Sequence, residues 1–439
     1  MSINNSSGEW TGIGYGYTAN YNSGKKNEVF ISDRDRQIIR DLAKNVKELS
    51  SREIETKKRE LWYKHNSLKT NYPLIFADPE NGWNEIITPE SLECEGKLSR
   101  RWELVLKKEI FWGEQMKDDK PIEPLFIIGY THQKEEFIKN NNLKTSDSNG
   151  AYTWDGFVKG LKDLRQIKFP EIDIDFRTTL DTFELANETL GDILTVKLKG
   201  VWWWGLVRSR DLSEIVGLEK MFMYFYDKPE LIQALMEMIK KRNIEMLGYL
   251  EKNNLLSLNN DGSYVGSGGL GYTDELPSNK YNGRTVKTND LWGSFESQET
   301  GQISPSMFEE FIFKYQRPVA AKFGLNCYGC CEPLEKRWHI IKYLPNLRRV
   351  SVSPWSDTER MVEFLEDKFI YSFKANPSDI ASEKIDASSI RNKIRVNLRK
   401  TKNSILEIIM KDNHTLGKNP ENITRWVRIV REEIINLHG

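Results

Sequence analysis

Apolar residues recur along this chain at two spacings, and the switches between them mark its elements. Short apolar runs between turn formers at 73–79 and 124–130 predict buried strands. Further strands are expected at 194–200, at 255–261, before the cysteines near 327–331, and at 347–353, 369–373 and 406–410. Between them the spacing lengthens to that of a helix with one buried face. Pro229 opens such a stretch, with Leu231, Leu235, Met238 and Ile239 on one side. Another begins at Ser304-Pro305 and runs to about Phe323, and a third places Met361, Val362, Phe364 and Leu365 together. Ser388 and Ser389 are expected to cap a basic helix, and a last helix runs from about Asn419. Ahead of the alternation the pattern is helical, with Ser32 and Asp33 capping a helix to about Ser50. Two more charged helices are expected over 52–65 and 90–115.

Repeated strand–helix units of this length predict a parallel sheet. Their number favours a closed (β/α)8 TIM barrel of the α/β class with an N-terminal, mainly helical extension. An open doubly wound sheet is the alternative. The expected organisation is a flexible leader at 1–28, the helical extension at 29–120 and the barrel at 121–439. The polar, irregular stretch between Lys134 and Ile172 is expected to form an excursion, or a lid over the barrel mouth.

Charge changes the picture by exclusion. Sixty-four Lys and Arg balance 64 Asp and Glu, so no electrostatic footprint for nucleic acid or an anionic membrane is present. No run of about 18 apolar residues is available to span a bilayer, and the polar N-terminus has no signal-peptide centre. Four cysteines in 439 residues do not make a disulfide framework. These features predict a cytoplasmic protein.

Three of those cysteines, Cys327, Cys330 and Cys331, fall within five residues at an expected strand end. In a barrel the chemistry sits at the C-terminal ends of the strands. There this chain carries Asn259 and Asp261, Asn326 with Tyr328 and Cys330, Ser353 and Trp355, Lys374 and Asn376, and Asp412 and His414. Side-chain alternation predicts that Asn326, Tyr328 and Cys330 face the mouth and Cys327 faces the helices. Thiols so clustered bind metal, do redox chemistry or simply pack. A zinc ion would draw on Cys330, Cys331 and His414, with Glu332 in reach. His65, His132, His339 and His438 are expected to be solvated or structural.

From about Pro170 onward the chain resembles the uroporphyrinogen decarboxylase superfamily, and within it the methyltransferase branch of corrinoid-dependent systems. The resemblance is carried by Lys197-Leu-Lys-Gly200, Asn260-Asp-Gly262 with Gly266-Ser-Gly-Gly269, Ser297-Gln-Glu299, Asn326-Cys-Tyr-Gly-Cys-Cys-Glu-Pro333, Ser351-Val-Ser-Pro-Trp355 and Lys374-Ala-Asn-Pro377. It implies a TIM barrel that moves a methyl group to or from the cobalt of a corrinoid (cobalamin) on a partner protein. The other party is a small methylated compound, such as an O-methyl or N-methyl one, or a thiol or folate acceptor.

The branch holds zinc on a His-x-Cys pair and a later Cys. Here Asn326 and Tyr328 stand at the first two positions, and His414 falls near the third. The resemblance therefore implies either zinc moved onto Cys330, Cys331 and His414, or a site without metal. Asp261, Glu299 and Tyr328 are the expected catalytic groups. Asn259, Trp292, Asn326, Trp355 and Lys374 are expected to bind substrate, with Trp202 to Trp204 and Tyr264 adding to an aromatic mouth. The decarboxylase activity itself is a weaker match, because the family's N-terminal Arg-rich signature is not found. A non-catalytic barrel that binds a small molecule is the reading from another class. A homodimer is allowed by the sequence.

Overall fold

The computed structural model describes residues 29–131, 143–145, 152–154, 156–169, 174–200 and 205–438. The expected leader, His132 and Trp202 to Trp204 lie outside the described residues, as does most of the expected excursion.

The fold is mixed α/β. Among the described residues ten strands form: β1 (Leu74–Ala77), β2 (Leu125–Ile128), β3 (Leu143–Thr145), β4 (Tyr152–Trp154), β5 (Thr195–Leu198), β6 (Trp292–Phe295), β7 (Leu325–Tyr328), β8 (Leu347–Val352), β9 (Ile370–Lys374) and β10 (Ile405–Met410). Six of them form one parallel sheet in the order β1-β10-β9-β8-β7-β6. β2 and β5 form a separate parallel pair, and β3 and β4 a small antiparallel one. Strands β1, β6, β7 and β10 are buried throughout, as strands covered on both faces must be. The first strand of the sheet lies beside the last, so residues 29–120 contribute an integral strand as well as helices. Among the described residues the ladder is not closed into a barrel by strand pairing.

Residues 255–261 are not a strand. Asn259 does a strand's work with its side chain instead: Nδ2 donates to the Trp292 carbonyl at 3.0 Å, and Oδ1 accepts from the Trp292 N–H at 3.0 Å. Both Asn259 and Trp292 are buried. Replacing Asn259 with Ala leaves a buried N–H and carbonyl unpaired, and is expected to lower unfolding stability by about 1–3 kcal/mol. Urea titration of the variant checks this.

Helix α1 (Asp33–Ser50) begins as expected, with the Ser32 side chain accepting from the Asp35 N–H at 3.2 Å. Its stripe of Ile39, Ala43, Val46 and Leu49 is buried. α2 (Glu53–Asn66) carries Trp62, His65 and Asn66 into the interior. The helix expected from Ser304 forms but is not uniform. A π turn at Glu309–Phe313 interrupts it, and Pro318 sits in its last segment. The helix at Ala387–Lys400 is capped by Asp386, which accepts from Ser389 N–H at 2.9 Å, rather than by Ser388 or Ser389. No helix among the described residues is long and apolar enough to cross a membrane.

A charged cluster lies on one face of the sheet. Arg349 of β8 and Glu407 of β10 are both fully buried, with Nε and Oε1 3.0 Å apart. The other Glu407 oxygen meets His65 Nε2 at 3.2 Å. Burial depresses the basicity of His65, while Arg349 and His65 outweigh burial at Glu407 and hold its carboxyl at about 2. His65 is thus structural rather than solvated. The glycine-rich loop at 266–269 lies directly on this cluster: Gly269 N–H donates to Glu407 Oε1 at 2.9 Å, and a Cβ there would strike Trp62 at 2.3 Å.

Candidate active site

Strand β7 faces the opposite way from the alternation first read into it. Asn326 Nδ2 donates to the carbonyls of Ala320 and Pro345 on the helix side. Tyr328 Oη, fully buried, lies against Gln316 at 3.0 Å and Ser297 at 3.2 Å. Cys327 is the residue that faces the charged cluster, beside Arg349 and the Val265 carbonyl. The reason is electrostatic. Arg349 pairs in register with Cys327 and must face Glu407, which fixes the parity of both strands. Tyr328 and Asn326 therefore face the helices rather than Arg349 and Glu407, and burial lifts the Tyr328 phenol well above its ordinary range.

Cys330 nevertheless reaches the same face as Cys327, because Gly329 breaks the alternation. Its φ of +97° lies in the region that glycine alone adopts without strain. An alanine at 329 would also bring its Cβ to 2.8 Å from Leu334. Gly329→Ala is expected to cost about 1–3 kcal/mol and to slow alkylation of Cys330. Denaturant titration and iodoacetamide kinetics check the two effects.

Four segments then converge on two sulfurs. Cys330 Sγ and Cys331 Sγ are 3.7 Å apart. Ser267, from the glycine-rich loop, donates its hydroxyl to Cys330 Sγ at 3.3 Å. That hydroxyl also accepts from the ammonium groups of Lys374 at 3.2 Å and Lys411 at 3.3 Å. A serine hydroxyl has one proton and two acceptor positions. Two cationic donors occupy both acceptor positions, so the proton must point at the Cys330 sulfur. Lys374 Nζ lies 3.8 Å from Cys330 Sγ and 3.4 Å from Cys331 Sγ, and pairs with Asp412 at 2.6 Å.

This arrangement decides which thiol ionises. Distance to Lys374 alone favours Cys331, but Cys331 Sγ also faces the Asp412 carboxylate at 3.6 Å. Burial opposes ionisation of Asp412, yet Lys411 and Lys374 hold it below the usual carboxylate range, so it repels a thiolate at Cys331. Cys330 has the Cys331 S–H, then Lys374 and Lys411, to stabilise its charge against burial, and its thiol is held well below the ordinary range. Cys331 is correspondingly raised, first by its bond to Cys330. Burial works against the Lys374 charge, but Cys330, Asp412 and Cys331 keep it an ammonium.

Carboxyl groups surround this centre. Glu332 staples two strand ends, accepting from Ser297 N–H at 2.8 Å and Cys330 N–H at 2.9 Å. Burial and the neighbouring Cys330 push it up to about 7. Glu296 is raised well above the carboxylate range by burial, then by Glu299 and Glu332. Glu80, near Lys411, is pushed by burial to about 8.

The remaining expected residues lie apart from the sulfurs. Asp261 is bound at both oxygens by Lys199, at 2.9 and 2.8 Å, and by Ser263. Glu299 accepts from Ser209 at 2.6 Å. Trp292 is buried with its ring N–H on the Gly271 carbonyl, Trp355 is 65% exposed, and His414 is exposed. Tyr264 is buried, with Lys411 over its ring at 5.1 Å. Ser267, Lys411, Glu296 and Glu80 were not expected near the cysteines from the sequence. The glycines flanking Ser267, and a lysine next to Asp412 at a strand end, were the available signals.

The donor set does not fit zinc. Among the described residues no group of three or more His, Cys, Asp or Glu side chains converges to hold a metal ion. The Lys374 ammonium lies against both sulfurs and the Asp412 carboxylate, and His414 is exposed.

No family model matches the chain, and no curated protein matches it. Among solved structures, a methyltransferase from Methanosarcina mazei is similar in fold at a TM-score of 0.48 and 9% sequence identity. The match covers 87% of this chain and 99% of that one.

Proposed function

We propose that this chain is a methyltransferase in which the Cys330 thiolate is the methyl-accepting nucleophile. The observation that carries the reading is the Ser267 hydroxyl, whose proton two ammonium groups force onto the Cys330 sulfur. Thiolate, not thiol, is the reactive form, and a cationic, partly exposed environment is what produces it. In the transfer the Cys330 sulfur forms its bond to the methyl carbon as that carbon's bond to the leaving atom breaks. The leaving atom keeps the electron pair. A leaving oxygen or nitrogen that needs a proton finds the ammonium of Lys374 beside the reacting sulfur. Ser267 and Cys331 hold the thiolate by hydrogen bonds, and Glu332 fixes the backbone beneath it.

The expected methyl source or final acceptor is the cobalt of a corrinoid on a partner protein, with a small methylated compound as the other substrate. Lys374 and Lys411 supply the positive charge that zinc supplies in the family resembled. We further propose that the six-stranded arc and the β2–β5 pair are parts of one eight-stranded barrel, with the cysteines at its mouth.

The test is incubation with methylcobalamin carrying a labelled methyl group, followed by peptide mapping. Label on Cys330 that is lost in Cys330→Ser is the expected result. No label on any cysteine, with the thiols reduced and alkylatable, would overturn the reading.

A further inference from the structure

We propose that Cys330 and Cys331 are a redox-modification site, at which a hydroperoxide oxidises Cys330 and Cys331 then closes a disulfide with it. The geometry distinguishes this pair from the other two cysteines. Cys94 and Cys327 are buried, whereas Cys330 and Cys331 are each partly open to solvent. Their sulfurs are 3.7 Å apart. Both residues lie in a loop outside any helix or strand, after Gly329 and before Pro333, so the backbone between them can adjust. The Ser351 hydroxyl on the Cys330 carbonyl, at 2.9 Å, is the hydrogen bond that the adjustment must give up. Oxidation-sensing cysteines pair a charged, accessible sulfur with a second thiol in this way.

The steps balance as follows. The Cys330 sulfur attacks one peroxide oxygen and the O–O bond breaks, giving a sulfenic acid. The departing oxygen leaves with the electron pair and takes a proton from the Lys374 ammonium or from water. The Cys331 sulfur then displaces water from that sulfenic acid, forming the S–S bond and losing its own proton. The cysteine pair is oxidised by two electrons and the peroxide is reduced. A thiol reductant reverses the modification by disulfide exchange. In the disulfide neither sulfur is a nucleophile, so oxidation would switch off methyl transfer; that consequence alone rests on the function proposed above.

The experiment treats the full-length protein with hydrogen peroxide and maps unreduced peptides by mass spectrometry, with no methyl donor present. The expected result is a peptide spanning both cysteines that has lost two hydrogens, and that dithiothreitol restores. In Cys331→Ser, dimedone is expected to trap a sulfenic acid at Cys330, while Cys330→Ser shows no adduct at Cys331. A wild-type protein that goes to sulfinic acid at Cys330 without a disulfide would overturn the proposal, as would unreacted thiols at both positions. Because these readouts need no methyl transfer, failure of the methyltransferase reading leaves them unchanged.

Discussion

Replacing Lys374 with methionine is expected to move the pH midpoint of Cys330 alkylation upward by about 1 unit or more. Opposite charge within about 4–6 Å lowers an acid's pKa by roughly 1–3 units, and reactivity follows the thiolate fraction. Lys374 is 3.8 Å from Cys330 Sγ and almost wholly buried, so little solvent screening softens its effect. Methionine keeps much of the volume and removes the charge. The variant also leaves Asp412 without its closest cation, at 2.6 Å, and the freed carboxylate further opposes a thiolate nearby. Lys411 remains at Ser267, which keeps the expected effect near the lower end of that range. Iodoacetamide rates across pH, read by peptide mapping at Cys330, should show the midpoint of the wild-type profile moved upward. If the profile of Lys374→Met overlays that of the wild type, Lys374 does not sustain the thiolate.

Replacing Arg349 with methionine is expected to destabilise the protein by about 3–5 kcal/mol, the cost of leaving a buried charge unpaired. Arg349 faces the fully buried Glu407, donates to Asn66 Oδ1 at 2.7 Å and lies over the Trp292 ring at 5.1 Å. It thus joins α2, the glycine-rich loop and two strands. The double variant Arg349→Met with Glu407→Gln should recover part of the loss, because no carboxylate is then stranded. A shift of the single variant smaller than about 1 kcal/mol in urea unfolding would contradict this account.

The same cluster sets an acid dependence whose sign follows from its groups. Glu407 sits at about 2 in the fold against an ordinary value of 4.5. Its contribution is therefore complete above about 4.5 and is lost as pH falls toward 2. Burial holds the basicity of His65 below the ordinary 6.5, so the unfolded chain binds a proton there first as pH drops. Both groups make the wild type less stable in acid. The Arg349→Met variant should lose stability less steeply below pH 4.5, since Glu407 no longer has its strongest cation.

Local chemistry along the chain was enough to read much of this molecule. Apolar runs between turn formers located the strands at 74–77, 125–128, 195–198, 347–352, 370–374 and 405–410, since buried parallel strands need little more than that pattern. Ser32 as a cap and the position of Cys330-Cys331 just after a strand end were equally legible, because each depends on neighbours a few residues away. β6 was missed: Trp292-Gly-Ser-Phe295 is short and carries a glycine, and its pairing depends on β7 and the Asn259 side chain. Alternation along β7 could not give its facing, because the choice of side was made by Arg349 meeting Glu407 across other strands. Nor could spacing show that Ser267 and Lys411, 144 positions apart, share a hydrogen bond beside Cys330. A thiol's charge depends on every ion within a few ångströms of it. Sequence placed the cysteines at the end of a strand; only the tertiary structure put two ammonium groups and a serine proton around one of them.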